Sequence, residues 1–362
     1  MSIIIIDTLA VVTAILLLIF SAFVYTNKKG SLLKQRILAS FLLANALFII
    51  DFCLPVIMDV TGANLIWFSG IGTSFGFLFG PLLYLYTKSI TQKDFLIRKT
   101  HLLHFVTFII VFIAAVTKLQ IPDTYLFAVL YIQTTPYMVA CIKIILDHRL
   151  RLKNYFSSLD KLNLTWMLYV VGAFFIMWMI DFINFIFINL VLSDFTFRMI
   201  LSFISLAINF VFAILIFYKA LQHPEIFAGD SESEKPQKYE QSRLTEGEKT
   251  EYLQKLRDYF KENKPFLNPD LTITEVAHQL NVSVRYLSQV INESLGKNFY
   301  DFINSYRIEE AKRQLTEEKE LKKTVLEVLY DSGFNSKSAF NSAFKKHTGF
   351  TPTEFRKQPL IN

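Results

Sequence analysis

The sequence contains only two cysteines, Cys53 and Cys141, and both lie inside apolar runs with no second cysteine nearby. This scarcity excludes a disulfide framework and a cysteine-based metal site. His101 and His104 stand three residues apart, but no third ligand accompanies them, so the pattern favours an interfacial structural role over metal binding. We therefore expect no metal site and no cofactor.

Acidic residues are scarce in the first part of the chain, where the first glutamate is Glu225. Up to Tyr218 the sequence holds 15 Lys and Arg against 9 Asp, whereas the remainder holds 22 basic against 22 acidic residues. The formal net charge of +6 therefore lies entirely in the first part. Because the second part is neutral, the basic pI of about 9.0 is no evidence for nucleic-acid binding.

The first part consists instead of long hydrophobic runs. A helix needs about 20 apolar residues to cross a bilayer core. The first run lacks a basic leader and a small-residue cleavage site, so we interpret it as a retained span. Seven segments meet the length requirement: residues 4–26, 37–58, 65–87, 101–117, 124–146, 164–192 and 197–218.

Basic residues alternate between the loops that join these segments. The six loops carry four, zero, four, one, four and one Lys or Arg in chain order. Since loops rich in Lys and Arg stay in the cytoplasm, the pattern predicts an outside amino terminus and a cytoplasmic chain after Tyr218. The expected location is a bacterial cytoplasmic (inner) membrane, with the terminal part in the compartment that holds DNA.

Two carboxylates lie in mid-span, Asp51 and Asp181. Ionisable residues at that depth are costly and usually face a polar interior. Two interpretations stay open, a polar signal-sensing cavity and a structural hydrogen-bonded network. The same carboxylates raise an alternative function, an intramembrane enzyme or transporter with a regulatory DNA-binding tail, although an aspartyl protease would need the two side chains coupled. The amides that could join them are Asn45, Gln133, Asn184 and Asn209.

Three glycines are spaced four residues apart in the third segment, Gly72, Gly76 and Gly80. This spacing places them on one helical face and lets another backbone approach closely. We interpret the face as tight packing inside one bundle in preference to a dimer seam.

Residues 223–247 are polar, contain Pro, Gly and Ser and have no apolar period, so they are predicted to be a linker. Thr245 and Glu248 then form a capping box that starts a helix over residues 248–263. That helix packs either on the terminal domain or on a second copy, and the sequence leaves both open. Its apolar face consists of Tyr252, Leu256, Tyr259 and Phe260.

The last hundred residues contain an internal repeat, TITEVAHQLNVSVRYLSQVINESLG at 272–296 and TVLEVLYDSGFNSKSAFNSAFKKHTG at 324–349. Each copy predicts a capped short helix, a turn around Asn281 or Gly333 and a second capped helix. Two short helices joined by a tight turn form a helix-turn-helix, whose second helix lies in the major groove of DNA. Residues 298–315 have helical apolar spacing and predict one linker helix that lets a single chain read two major grooves about 34 Å apart.

With these motifs the sequence resembles the AraC/XylS type of transcriptional regulator. The resemblance covers roughly residues 265–358 and rests on LSQVINESLGKNFYDFINSYRIEEAK and DSGFNSKSAFNSAFKKHTGFTPTEFRK. One departure is Leu329, where the family usually has a small Ala, as Ala277 is in the first repeat. The departure predicts looser packing or less stringent DNA reading in the second unit.

The resemblance also implies roles for side chains of the two recognition helices. Arg suits guanine, and Gln or Asn suits adenine, through paired hydrogen bonds to base edges. Lysines are expected to bind phosphate without sequence choice. The implied base-reading residues are Arg285, Ser288 and Gln289 in the first helix and Ser338, Asn341 and Ser342 in the second. The implied phosphate-binding residues are Lys297, Lys337, Lys345 and Lys346.

We therefore predict an all-α protein with a seven-span transmembrane sensor domain at 1–220, a juxtamembrane linker and helix at 221–264 and a double helix-turn-helix domain at 265–362. The predicted function is a membrane-bound, sequence-specific transcriptional regulator that is not an enzyme. A signal-sensing cavity would involve Asp51, Asp181, Asn45 and Asn184. The expected partners are double-stranded DNA, the lipid bilayer, a second copy in a homodimer, a signal ligand and, as a further candidate, RNA polymerase.

Overall fold

The chain folds into two compact units, seen in a computed structural model that describes residues 2–27, 31–92, 95–159, 165–190, 195–222, 244–317 and 323–357. We name the unit of Met1–Leu146 and Thr165–Ser233 the membrane unit, because its helices are apolar enough to cross a membrane, and the unit of Asp147–Leu164 and Glu234–Asn362 the terminal unit. Within the described ranges the elements are helices, with one isolated β-bridge, which confirms the all-α class. Most of the predicted linker, residues 223–243, lies outside the described residues.

The helices of the first unit follow the hydrophobic runs. Six helical stretches among the described residues are long and apolar enough to cross a membrane, and Met199–Leu215 is a shorter apolar stretch. The helices are α1 (Ser2–Thr26), α2 (Leu32–Thr61), α3 (Ile71–Ser74), α4 (Phe79–Thr91), α5 (Val106–Val116), α6 (Asp123–Leu152), α7 (Thr165–Leu190) and α8 (Phe195–Gln222). The end of α6, from Asp147 onward, belongs to the terminal unit.

The third predicted span is not one continuous α-helix, because 3₁₀ turns at Ile66–Phe68 and Phe75–Leu78 flank and interrupt it. Asp51 in α2 provides the physical reason. Its carboxylate accepts hydrogen bonds from the backbone N–H of Gly70 (3.0 Å) and from the N–H and hydroxyl of Thr73 (2.8 and 2.6 Å). The carboxylate thus satisfies backbone donors at the start of α3 that a longer helix would pair internally.

The glycines of this segment lie against neighbouring helices of the same unit. A Cβ atom at Gly80 would be 2.6 Å from the ring of Tyr137, and one at Gly76 would be 3.1 Å from the ring of Phe48. A Cβ at Gly72 would collide with Asp51. The close approach therefore occurs inside the bundle, in agreement with the interpretation from the spacing.

The terminal unit contains the repeat as predicted. Capping boxes form at Thr245 with Glu248, at Thr272 with Glu275 and at Thr324 with Glu327. The helices are α9 (Glu246–Asn263), α10 (Ile273–Gln279), α11 (Val284–Leu295), α12 (Phe299–Glu317), α13 (Val325–Asp331), α14 (Lys337–Thr348) and α15 (Pro352–Lys357).

Two separate apolar cores hold the two helix-turn-helix units, and α12 contributes to both. In the first core, Leu256 and Phe260 of α9 are buried against α10, α11 and the start of α12. Helix α9 thus packs on its own terminal domain, which answers the choice that the sequence left open. In the second core, Leu329 is 2% exposed among the phenylalanines of α14, so the larger side chain is accommodated at the helix crossing.

Gly333 joins the second helix-turn-helix unit to the first. Its φ of +88° is a left-handed conformation that glycine adopts without strain. A Cβ at this position would meet the carbonyl oxygen of Phe266 and lie 2.9 Å from the Cα of Leu267, both in the segment before the first repeat. Gly296 also has a positive φ, +63°, but nothing lies within 4 Å of a Cβ there.

Gly333 and Gly296 are matched positions for testing how the two helix-turn-helix units pack against each other. Gly296→Ala should destabilise the terminal unit by about 1–2 kcal/mol, the penalty of the left-handed backbone alone. Gly333→Ala should destabilise it clearly more, since the Phe266–Leu267 backbone must also move. The measurement is the temperature at which a protease begins to degrade residues 244–357 of the full chain in membrane vesicles. Equal shifts for the two variants would show that the units do not touch at Gly333.

Candidate nucleic-acid interface

The two recognition helices, α11 and α14, have the same construction. Each is 12 residues long, begins at a serine and ends at a glycine with positive φ. The Ser283 hydroxyl accepts a hydrogen bond from the N–H of Tyr286, and the Ser336 hydroxyl accepts one from Ala339, both at 3.2 Å. The caps fix where each helix starts and therefore which residues face outward.

The predicted base-reading residues lie on the outward faces of these helices. Arg285 in α11 and its counterpart in α14, Ser338, stand two residues after the capping serines. Arg285 is exposed, Ser288 and Gln289 are half-buried, and Ser338, Asn341 and Ser342 are exposed. The opposite faces are buried through Leu287, Val290 and Ile291 in α11 and through Phe340, Ala343 and Phe344 in α14.

The outward face of α11 carries its own hydrogen bonds. The Gln289 amide donates to the Glu293 carboxylate at 3.1 and 3.3 Å. Glu293 also forms an ion pair with Lys249 of α9 at 2.7 Å. Gln289 would therefore have to exchange Glu293 for a base edge on binding. No local pattern in the sequence indicates a role for Glu293, because its ion pair with Lys249 joins two helices far apart in the chain.

The predicted phosphate-binding lysines divide into two kinds. Lys337 and Lys345 are exposed on α14, whereas the amine of Lys346 pairs with the Asp301 carboxylate of α12 at 2.8 Å. Burial raises the pKa of Asp301, but the hydrogen bond and charge of Lys346 outweigh it and hold that pKa below its usual range. This ion pair therefore contributes stability at neutral pH that is lost as the pH falls through the folded pKa of Asp301.

Substitutions of the neighbouring lysines Lys345 and Lys346 should therefore have different effects on DNA binding. Lys345→Ala should weaken binding to all sequences and reduce the slope of log affinity against log salt by about 0.9, the value for one phosphate contact. Lys346→Ala should change the salt slope less, because its charge is already paired with Asp301. The measurement is fluorescence anisotropy of labelled duplex titrated with the purified full chain at several salt concentrations. A slope change that is larger for Lys346→Ala would show that the ion pair opens on DNA.

A cavity lined by apolar side chains and several polar ones lies within the membrane unit. Its volume is about 670 Å³, within the range of small-molecule sites. The four residues proposed from the sequence, Asp51, Asp181, Asn45 and Asn184, all line it. Gln133 does not, and instead donates a hydrogen bond to the carbonyl of Phe77. Lining residues that the sequence did not single out include Asp7, Thr134, Trp178, Ser202 and Ser205.

Several polar groups in this cavity have no hydrogen-bond partner among the described residues. They are the amide nitrogen of Asn45, the amide oxygens of Asn184 and Asn209 and the indole nitrogen of Trp178. The Asn184 nitrogen donates to the Ser202 hydroxyl at 3.0 Å. Unpaired buried polar groups are costly, and these atoms have almost no accessible surface, so a bound molecule would reach them only after the side chains rotate.

The two mid-span carboxylates therefore predict different variant phenotypes. Asp51→Asn should destabilise the membrane unit by about 1–3 kcal/mol, because Gly70 and Thr73 donate to different carboxylate oxygens and asparagine keeps only one acceptor oxygen. Asp181→Asn should leave folding near normal, since Asp181 lies on the cavity lining beside polar residues such as Ser205 and an asparagine there keeps one acceptor oxygen. The measurement is the yield and melting temperature of each detergent-solubilised variant. A lower stability of Asp181→Asn than of Asp51→Asn would contradict the structural role of Asp51.

His101 and His104 have structural partners. The ring of His101 accepts a hydrogen bond from the N–H of Arg98 at 3.0 Å, and a ring nitrogen of His104 lies 2.8 Å from the Tyr137 hydroxyl. Within the described residues no three side chains are grouped as a metal site would require.

Comparison with known proteins bears on the terminal unit. Residues 276–358 match the family model described as a helix-turn-helix domain. The chain is 37% identical over 87 residues to an uncharacterized HTH-type transcriptional regulator of Staphylococcus aureus, and 38% identical over 88 residues to one of Pseudoalteromonas carrageenovora. These matches cover 24% of this chain, and they span 11% and 50% of the two relatives.

Among solved structures, the chain matches the C-terminal domain of AraT, a response regulator from Geobacillus stearothermophilus. The match has 31% identity and a TM-score of 0.27, and it covers 33% of this chain and 92% of that domain.

The matched segment contains both recognition helices and the linker helix between them. The terminal domain is thus a helix-turn-helix domain of the kind found in transcriptional regulators. Over residues 276–358 this domain is of the AraC type, with the two copies of the motif and the linker helix that the sequence predicts.

Proposed function

We propose that the chain is a membrane-bound, sequence-specific DNA-binding transcriptional regulator whose transmembrane helices sense a signal. The observation that carries this proposal is the presence, in one chain, of two recognition helices with polar outward faces and, among the described residues, six helical stretches apolar enough to cross a membrane. Relatives over the terminal domain are named as HTH-type transcriptional regulators, which supports the first half of the proposal.

The proposed topology places the amino terminus outside and the terminal unit in the cytoplasm of a bacterial cell. It is supported by the alternation of four, zero, four, one, four and one basic residues in the loops. Only this orientation gives the helix-turn-helix domain access to DNA. A reporter enzyme fused after residue 362 should be active in the cytoplasm, and activity only in the periplasm would contradict the proposal.

One chain is proposed to read two consecutive major grooves. Helix α12 has 19 residues, and a helix of that length spans about 28 Å. It connects two capped units whose recognition helices have equal length. Because the part of the chain after Tyr218 has no net charge, affinity from phosphate contacts should be modest and reduced by salt. A homodimer on paired sites would raise the effective concentration, and RNA polymerase is a further candidate partner.

Sensing is assigned to the cavity of the membrane unit. The polar side chains of its lining, among them Asn45, Asp181 and Asn184, support binding of a molecule that carries both donors and acceptors. An intramembrane protease is disfavoured, since the Asp51 carboxylate already accepts three hydrogen bonds from Gly70 and Thr73. Asp51 therefore has a structural role there, and Asp7 and Asp181 are the lining carboxylates that remain for the signal.

The decisive experiment is selection of binding sites from random duplex DNA with the full chain in detergent or nanodiscs, followed by chromatin immunoprecipitation. We expect one enriched site with two halves about one helical turn apart. Arg285→Ala and Asn341→Ala should each cost about 1–3 kcal/mol and relax base preference in a different half. Lys337→Ala is the control, because it should weaken binding without changing preference. No enrichment from the intact, expressed protein would refute the proposed function.

A further inference from the structure

The terminal unit includes a short segment that comes from between two membrane helices. Residues 153–158 follow directly after α6 and precede α7 in the chain, yet they pack within the terminal unit. We call residues 153–158 the docking loop. Four sets of contacts hold it there.

The first set is a single β-bridge to the first helix-turn-helix unit. Phe156 pairs with Thr272 in antiparallel fashion. The Ser157 N–H donates to the carbonyl of Leu271 at 3.1 Å, and the Ile273 N–H donates to the carbonyl of Tyr155 at 2.9 Å. Ile273 is the first residue of α10 and is fully buried. The loop thus supplies the acceptor for a helix-start donor that water cannot reach.

The second set joins the loop to the linker helix. The N–H of Tyr300, in the first turn of α12, donates to the carbonyl of Lys153 at 2.9 Å. The amine of Lys153 lies 5.7 Å from the centre of the Tyr300 ring. The loop therefore satisfies backbone donors at the starts of two different helices.

The third set centres on Arg307 of α12, which is 1% exposed. Its guanidinium donates to the carbonyl of Ser157 and to the Ser157 hydroxyl, both at 3.0 Å. It also donates to the carbonyls of Phe266 and Asn268 at 2.8 Å. Burial lowers the pKa of Arg307 to about 10, so the side chain stays charged at neutral pH and needs all of these oxygens.

The loop also reaches the second helix-turn-helix unit. The Ser158 hydroxyl and the Asn335 side chain lie within hydrogen-bond distance, at 3.1 and 3.3 Å. Asn335 immediately precedes the cap of α14. The same six-residue segment therefore contacts the first unit, the linker helix and the second unit.

We propose that the docking loop is the element through which the membrane helices control DNA binding, by fixing the orientation of the two helix-turn-helix units. The inference rests on the proposed function, since it assigns the mechanism by which a membrane signal reaches the recognition helices. Lys153 is the next residue after the end of α6, so a shift of α6 moves the loop without an intervening flexible segment. Release of Ser157 leaves Arg307 short of two acceptors and frees the two units to reorient.

Docking can be tested by disulfide formation in the full chain in membrane vesicles, with Cys53→Ala and Cys141→Ala as the background. Phe156 and Thr272 form a non-hydrogen-bonded antiparallel pair, whose Cα atoms are about 4.5 Å apart, a distance that a disulfide spans. The variant Phe156→Cys/Thr272→Cys should therefore cross-link. The control Phe156→Cys/Gln279→Cys places the second thiol seven residues along α10, about 10 Å away, and should not.

A protease site inserted between residues 231 and 238 makes the cross-link visible. After cleavage, the two fragments stay together on a non-reducing gel only when the disulfide has formed, and reductant separates them. Equal cross-linking of the test and control pairs would overturn docking. This result does not depend on DNA binding, so it separates failure of the docking loop from failure of the proposed function.

The role of the docking loop in DNA binding is tested with two variants of Ser157. Ser157→Pro removes both the N–H bonded to Leu271 and the hydroxyl bonded to Arg307. Ser157→Ala removes only the hydroxyl. Binding is measured on a selected duplex and on the same duplex with one half scrambled. Ser157→Pro should lose about tenfold or more on the two-half duplex, where linked binding raises affinity, and stay within about twofold on the scrambled one.

Ser157→Ala should show a smaller loss on the two-half duplex. Full two-half affinity in Ser157→Pro would overturn the role of the loop. Equal losses on both duplexes would also overturn it, because they would indicate damage to one unit and not to the geometry of the pair. A wild-type chain that binds neither duplex would refute the proposed function itself, with the cross-linking result unaffected.

Discussion

The buried guanidinium of Arg307 is the interaction on which the arrangement of the terminal unit depends. A buried charge is tolerated only when hydrogen bonds replace its lost hydration, and removing such partners is strongly destabilising. Here the partners are oxygens of the 266–269 segment and of Ser157, and the ring of Phe334 lies 5.6 Å from the guanidinium. The two apolar cores of the terminal unit are separate. The Arg307 charge, together with the turn at Gly333, therefore sets how the two helix-turn-helix units face each other.

The features of the terminal domain that the sequence predicted are those with local signals. A threonine three residues before a glutamate, a capping serine and a glycine after the last apolar residue each act within one helical turn, and all appear where expected. The docking loop has no such signal. Its residues show no period, and Ser157 meets Arg307 across a separation of 150 residues. The interruption of the third span was missed for the same reason, because it depends on Asp51 in another helix.

At the candidate interface, too, the sequence predicts features within one helix but not contacts between helices. Helical periodicity alone predicts which residues face outward, since the apolar stripe of each recognition helix fixes the opposite face. It does not predict that Lys346 pairs with Asp301 or that Glu293 pairs with Lys249, because each ion pair joins different helices. In the membrane unit, polarity at mid-span indicated residues that share a cavity. That polarity did not predict that Asp51 and Asp181 have different roles, with the Asp51 carboxylate capping α3.

The two recognition helices are alike in length and capping but different in chemistry. Helix α11 presents a guanidinium, a hydroxyl and an amide, whereas α14 presents two hydroxyls, an amide and several amines. A DNA segment bound across both would consequently be asymmetric, with two different half-sites. Reversing that segment relative to a neighbouring gene would turn the opposite surface of the protein toward the transcription start, so the direction of the operator becomes part of the regulatory information.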